Sequence, residues 1–309
     1  MPLPDFTDCA FSTPETDADW IAVVHLGGPA RAIDSRMPAF GEALSEPEIR
    51  QTLAYIRTLC RDTRWPRGEL NLPRPLVTEK AFPENEAVLS STVAGGDATA
   101  VENEFLYERR LGPRSQIEVV IPITLQKDRD EDWLAGIGDA VFAFKHVVFS
   151  SLDSGTIVSA AAELQFPTGD DERSFGNGVT VLEPFVAVGK VLPADAFVQF
   201  QGGFAFPWDS DRGSREAFWR SAVGKSFVQN RFGRSWTPML EVLGAKTFDD
   251  GGVQWDLVPQ MQVTLSRRQH IMINAGIRIP LTNREDQATQ VLMYLLWDWF
   301  DGGFFDGWR

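Results

Sequence analysis

From about residue 87 onward the chain alternates apolar and polar side chains in one segment after another, and this period of two is the strongest constraint on its fold. In the cleanest case Val253, Trp255, Leu257, Met261, Val263 and Leu265 take one face, while Gln254, Asp256, Gln260, Gln262 and Thr264 take the other. Ile271, Ile273, Ala275, Ile277 and Ile279 then stand against Asn274, Gly276 and Arg278. Ile117, Val119, Ile121 and Ile123 alternate with Gln116 and Glu118, and Val198, Phe200, Phe204 and Phe206 lie opposite Gln199 and Gln201. About eleven or twelve such segments follow one another, each roughly long enough to cross a bilayer at a tilt.

Long alternating strands fit either a soluble sandwich or barrel with a packed core, or an outer-membrane barrel. Strands in soluble sheets average about five or six residues, and those here run to about ten. The polar faces carry Glu118, Glu163, Glu183, Glu241, Asp256 and Arg278, which are costly in a dry core and acceptable in a wet lumen. Aromatic residues gather near strand ends, at Phe206-Pro207-Trp208, Phe218-Trp219 and Trp297-Asp298-Trp299-Phe300, as interfacial girdles do. The expected fold is mainly β: a transmembrane antiparallel barrel of about 12 strands over residues 87–309. The acidic segments QKDRDEDW, TGDDERSFGNG and PWDSDRGSRE then become loops outside the bilayer. Arginine is expected to be costly at the lipid-facing Ile273 or Ile277 and tolerated at Gln260 or Asn274. The net charge of −14 argues against a nucleic-acid partner, whose phosphates need a basic face.

Residues 1–64 differ. Thr16 or Asp17 caps a helix carrying Trp20, Ile21, Val23 and Val24 and ending at Gly27. Ser45 and Glu48 form an S-x-x-E capping box ahead of Ile49, Leu53, Ile56 and Leu59 at helical spacing. Two helices this short enclose little core, so a staple or cofactor is expected. Cys9 and Cys60 flank the unit and would close it by a disulfide in an oxidising compartment; two separate buried thiols are the alternative. Residues 65–86 are proline-rich and aperiodic, and read as an extended linker or strap.

The run DWIAVVHLGGPARAIDSRMPAFGEALSEPEIRQTLAYIRTLC resembles the second half of a class I c-type cytochrome domain. That resemblance implies a haem c with Met37 as axial ligand of the iron, the one metal ligand it assigns, and with Phe40, Ile49, Leu53, Tyr55 and Ile56 around the pocket. A neutral thioether favours ferrous iron and raises the potential, and Pro38 holds Met37 extended. The plain alternative is a buried methionine followed by a turn. No C-x-x-C-H attachment motif is in this sequence, so the chain is expected to be a fragment, with that motif and a signal peptide upstream. His25 sits at a helix end before Gly27-Gly28, where it could face a haem propionate or cap the terminus, and His146 and His270 form no metal cluster by spacing. Hydrolase, zinc-protease, P-loop and dinucleotide motifs do not occur, and no enzyme is expected.

FLYERRLG, GIGD and AELQFPTG resemble, more loosely, strands and turns of the bacterial outer-membrane proteins grouped as meta-pathway phenol-degradation channels. One departure is the C-terminus, with Trp308 penultimate and Arg309 last. Together the resemblances imply electron transfer at the outer membrane, with a periplasmic or extracellular redox partner, lipid around the barrel, and the cytochrome-like domain periplasmic or at the cell surface. A passive channel with a periplasmic gate or sensor domain is the alternative, and a soluble binding module the third.

Overall fold

The computed structural model describes residues 4–94, 100–127, 133–249, 252–283 and 287–299. Fourteen antiparallel strands form one sheet. They are β1 (Glu86–Ala94), β2 (Ala100–Leu111), β3 (Ser115–Lys127), β4 (Trp133–Ile137), β5 (Val141–Ser151), β6 (Thr156–Gln165), β7 (Val181–Val191), β8 (Ala196–Pro207), β9 (Glu216–Lys225), β10 (Phe227–Val228), β11 (Ser235–Thr247), β12 (Gln254–Thr264), β13 (Ile271–Pro280) and β14 (Gln290–Asp298). β4 and β5 follow one another along β3 and make one stave, while β10 is only two residues beside β11. Twelve staves therefore close the sheet, β14 pairing with β1 and β9 with β11. Closure removes every long free edge.

The alternation is realised with its apolar face outward. Leu89, Phe144, Val186, Phe204, Ile277 and Val291 are exposed, whereas Glu108, Gln199, Glu241, Gln262 and Asn274 are buried. A soluble protein buries the opposite set; a lipid-facing wall around a polar interior needs this one. The barrel is a membrane-spanning one. Among the described residues no helix is long and apolar enough to cross a membrane.

Trp133, Trp208, Phe227 and Trp236 stand exposed near strand ends, where girdle residues belong. One aromatic expected there is elsewhere. Phe218 is in phase with the inward Arg220 and Ala222 and lies buried in the lumen, whereas Trp299, at the end of β14, stacks on the outward Tyr107. Phe300, Trp308 and Arg309 lie outside the described residues, as does part of QKDRDEDW; the other two acidic segments fall in the loops joining β6 to β7 and β8 to β9.

A small helical cap sits on one rim. It comprises α1 (Cys9–Ser12), α2 (Asp17–Leu26) and α3 (Glu46–Arg57). Thr16 caps α2, Gly27 ends it at φ +84°, and the Ser45–Glu48 capping box opens α3. Ile21, Ile49 and Leu53 form the cap's core, and Phe232, from the turn before β11, packs into it. The barrel thus supplies part of the core that two helices cannot build alone. Cys9 and Cys60 are disulfide-bonded. Arg31 donates to the Phe232 carbonyl (2.7 Å) and Arg231 pairs with Glu46, fastening cap to rim.

Candidate functional site

Residues 65–86 are extended, as their prolines dictate, but they do not span open space between two units: most of the segment from Pro66 to Glu84 is buried inside the barrel. The strap enters from the cap rim with Leu70 and Leu72 against Phe185, Phe197 and Met239. It turns at Leu76–Glu79 beside mid-strand residues of β8, β11 and β12, and returns with Ala81 and Phe82 against Val147 and Ile157. An extended, proline-bearing segment cannot satisfy its own peptide groups, so the wall must do it. The inward amides and carboxylates serve that end. Glu241 accepts from the N–H groups of Leu76, Val77 and Thr78 (3.0, 3.1 and 2.7 Å) and from the Thr78 hydroxyl (2.6 Å). Gln201 accepts from Glu79 N–H, Gln116 from Glu84 N–H, and Ser159 donates to the Ala81 carbonyl. Gly276 lets Leu76 pass, since a Cβ there would lie 2.6 Å from Leu76 Cδ1.

Arg74 is the electrostatic hub. Its guanidinium donates to Glu86 (2.8 Å), Glu108 (3.2 Å) and Glu79 (2.8 Å), while its carbonyl accepts from the Tyr294 hydroxyl (2.5 Å). Lys80 pairs with Glu84 and stands 3.8 Å from Glu86. These cations answer a particular arrangement of the wall. Asp298, Glu86, Glu108 and Glu118 are successive register partners across β14, β1, β2 and β3. The same row continues through Ala143 on β5 to Glu163 on β6 and Glu183 on β7. Like charges opposite one another repel, so this acidic row is stable only with cations laid along it. On the side away from the cap the lumen is less filled, with Glu102 and Glu104 exposed and Asp256 paired with Arg278.

Where strap, cap and rim meet, His270 forms a clasp: Nε2 lies 2.9 Å from Glu15 of the cap and Nδ1 2.7 Å from Asp298 of β14. Burial alone would lower the imidazole pKa, but the Asp298 and Glu15 carboxylates outweigh it and hold it well above the ordinary histidine value. A cavity of about 110 Å³ lined by Glu15, Asn71, Arg268, His270 and Asp298 adjoins this clasp.

The residues expected around a haem are brought together only in part. Met37 is half-buried, folded onto the Gly27–Gly28 turn, with its carbonyl accepting from Gly28 N–H (3.0 Å). Phe40 follows, its N–H donating to the Val24 carbonyl (2.9 Å). Tyr55 is 67% exposed on the outer side of α3, and Ile56, like Ile49 and Leu53, packs into the cap core with Phe232. Met37, Phe40 and Tyr55 are not part of that core cluster. His25 lies beside Phe232, with ring centroids 5.3 Å apart and the rings tilted by 44°, and His146 bonds the Ser115 hydroxyl (2.8 Å). The sequence reading missed Arg74, Glu79, Lys80 and Tyr294. The available signal was a cation-bearing proline-rich strap next to strands whose inward positions are amides and carboxylates.

No protein-family model matches the chain, and no curated protein matches it in sequence. Among solved structures it is similar to an outer membrane channel from Pseudomonas putida F1, with a TM-score of 0.51 at 12% identity over 73% of this chain and 99% of that one. It is also matched to the KdgM porin, with a TM-score of 0.47 at 7% identity over 69% and 99% of the two chains. The first likeness agrees with the barrel fold described above.

Proposed function

We propose that this protein is a bacterial outer-membrane channel for small solutes, closed on the cap side by its own strap. The observation that carries the reading is the strap itself: between Arg74 and Glu84 it fills the lumen largely through hydrogen bonds and ion pairs to wall side chains. Water can replace such bonds one by one, whereas a lumen meant only to be a core would be filled with interdigitated apolar side chains. The cap acts as gate or sensor and lies in the periplasm. Its rim carries short turns at 112–114, 152–155 and 192–195, while the opposite rim carries longer loops such as 166–180, and outer-membrane barrels keep their short turns periplasmic. The test is conductance in planar bilayers. Wild-type protein should open rarely, and Glu241→Ala, which removes the acceptor for the strap's turn, should raise open probability severalfold. Silence of both proteins at every voltage would discard the channel reading.

Haem-dependent electron transfer through Met37 is a second, separate proposal. It is supported by the RMPAFGEALSEPEI run alone and requires an attachment motif outside this chain. A full-length protein that never carries covalent haem would end it.

A further inference from the structure

We propose that Glu79, Glu108 and Glu118 form a divalent-cation site of calcium type that latches the strap to the barrel wall. Glu79 belongs to the strap's turn, Glu108 to β2 and Glu118 to β3, and one carboxylate oxygen of each lies within 4.8 Å of the others. That is the span across one Ca²⁺ ion holding its oxygens at about 2.4 Å. An independent observation points to a ligand there: Oε2 of Glu108, on a side chain with no exposure, is buried and meets no N–H or hydroxyl donor, its one hydrogen-bonding neighbour being the Glu118 carboxyl when that is protonated. A carboxylate oxygen left dry and without a donor is costly, and a hard cation satisfies it.

The surrounding charges leave room for the ion. Arg74 occupies Oε1 of both Glu79 and Glu108, which fixes those carboxylates and leaves their second oxygens to the site. Lys145 Nζ stands 4.0 Å from Oε2 of Glu79 and donates instead to the Lys80 carbonyl (3.0 Å). Lys80 is engaged by Glu84 and Glu86. Around the triad, five carboxylates (Glu79, Glu84, Glu86, Glu108 and Glu118) face three cations (Arg74, Lys80 and Lys145), an excess that one divalent ion balances. Ca²⁺ tolerates irregular oxygen geometry better than Mg²⁺, and an all-carboxylate set disfavours softer metals. Because one ligand is on the strap and two are on the wall, the ion would hold the lumen shut. This inference rests on the filled lumen and stands whether or not the barrel conducts.

The experiment is calcium binding by protein refolded in detergent free of lipopolysaccharide and stripped with chelator. Titration calorimetry with CaCl₂ should find one saturable site per chain, and the temperature at which the barrel unfolds, read by heat-modifiable gel migration, should rise with Ca²⁺ more than with Mg²⁺. Glu118→Gln tests the wall side, since its carboxylate makes no ion pair among the described residues. It should weaken Ca²⁺ at least tenfold while still folding. Glu79→Gln should do the same from the strap side, and Glu102→Gln, exposed on the side of the lumen away from the cap, should leave binding unchanged. Absence of saturable binding, or undiminished binding in both triad variants, overturns the site. So does stability that follows pH and ignores Ca²⁺, which would mean that Glu108 and Glu118 share a proton instead.

Discussion

Glu241 sits fully buried at mid-height on β11 and collects donors from three consecutive strap peptides, the Thr78 hydroxyl and the Gln260 amide. Truncation strands those donors without water, so Glu241→Ala should cost about 3 kcal/mol and Glu241→Gln, which keeps one acceptor oxygen, about half as much. Urea unfolding in detergent reads both, and a loss indistinguishable from zero for the alanine variant would mean that the strap is not held there. His270 makes a second prediction. Its pKa is raised in the folded protein by Asp298 and Glu15, so the clasp's contribution is fully present below the unfolded histidine value of about 6.5 and is lost as pH rises through the higher folded value. Proteolysis of the cap should therefore accelerate on the alkaline side, and His270→Gln should remove that dependence. A cap equally resistant at every pH would refute the clasp.

At the scale of elements, the strands were legible because a barrel wall obeys parity: each alternate residue meets lipid, and the pattern shows it without tertiary information. Ile273→Arg or Ile277→Arg should cost about 2–4 kcal/mol near the bilayer midplane, measured by equilibrium refolding into lipid vesicles. The lumen side is less permissive than parity alone implies. Asn274 is fully buried, donating to Gln260 and to the Arg74 carbonyl, so arginine there should disrupt the strap, while arginine at the exposed Glu104 should be tolerated. The capped helices α2 and α3 were legible for a similarly local reason. The strap was not: a proline-rich segment has no period, and its partners lie up to 220 residues away in sequence. The residues named for a haem wall came from the resemblance of one local run, and such a run could not reveal that Phe232 packs into the cap core. The register row of glutamates carries its own expectation. If the lumen conducts, reversal potentials under a KCl gradient should favour K⁺ over Cl⁻, and Glu163→Lys should weaken that preference.

For the molecule as a whole, the Cys9–Cys60 disulfide joins residues 51 apart across the cap. On the chain-entropy account it stabilises the cap by about 4 kcal/mol. Reduction should therefore loosen the cap, seen as faster amide exchange in α2 and α3, while the barrel keeps its heat-modifiable migration; loss of both together would mean that cap and barrel unfold as one unit. The strap has a further consequence through its connectivity. It enters the lumen from the cap rim and leaves by the same rim into β1, so it is a bight of chain and never a thread. No terminus has to pass through a closed ring for the interior to be occupied or vacated. The twelve staves can join first and the bight can dock afterwards, or withdraw and redock many times, without a single strand pair coming apart. The order of assembly is then set by proximity: Thr78 must wait for Glu241, 163 residues downstream, before its last bonds exist.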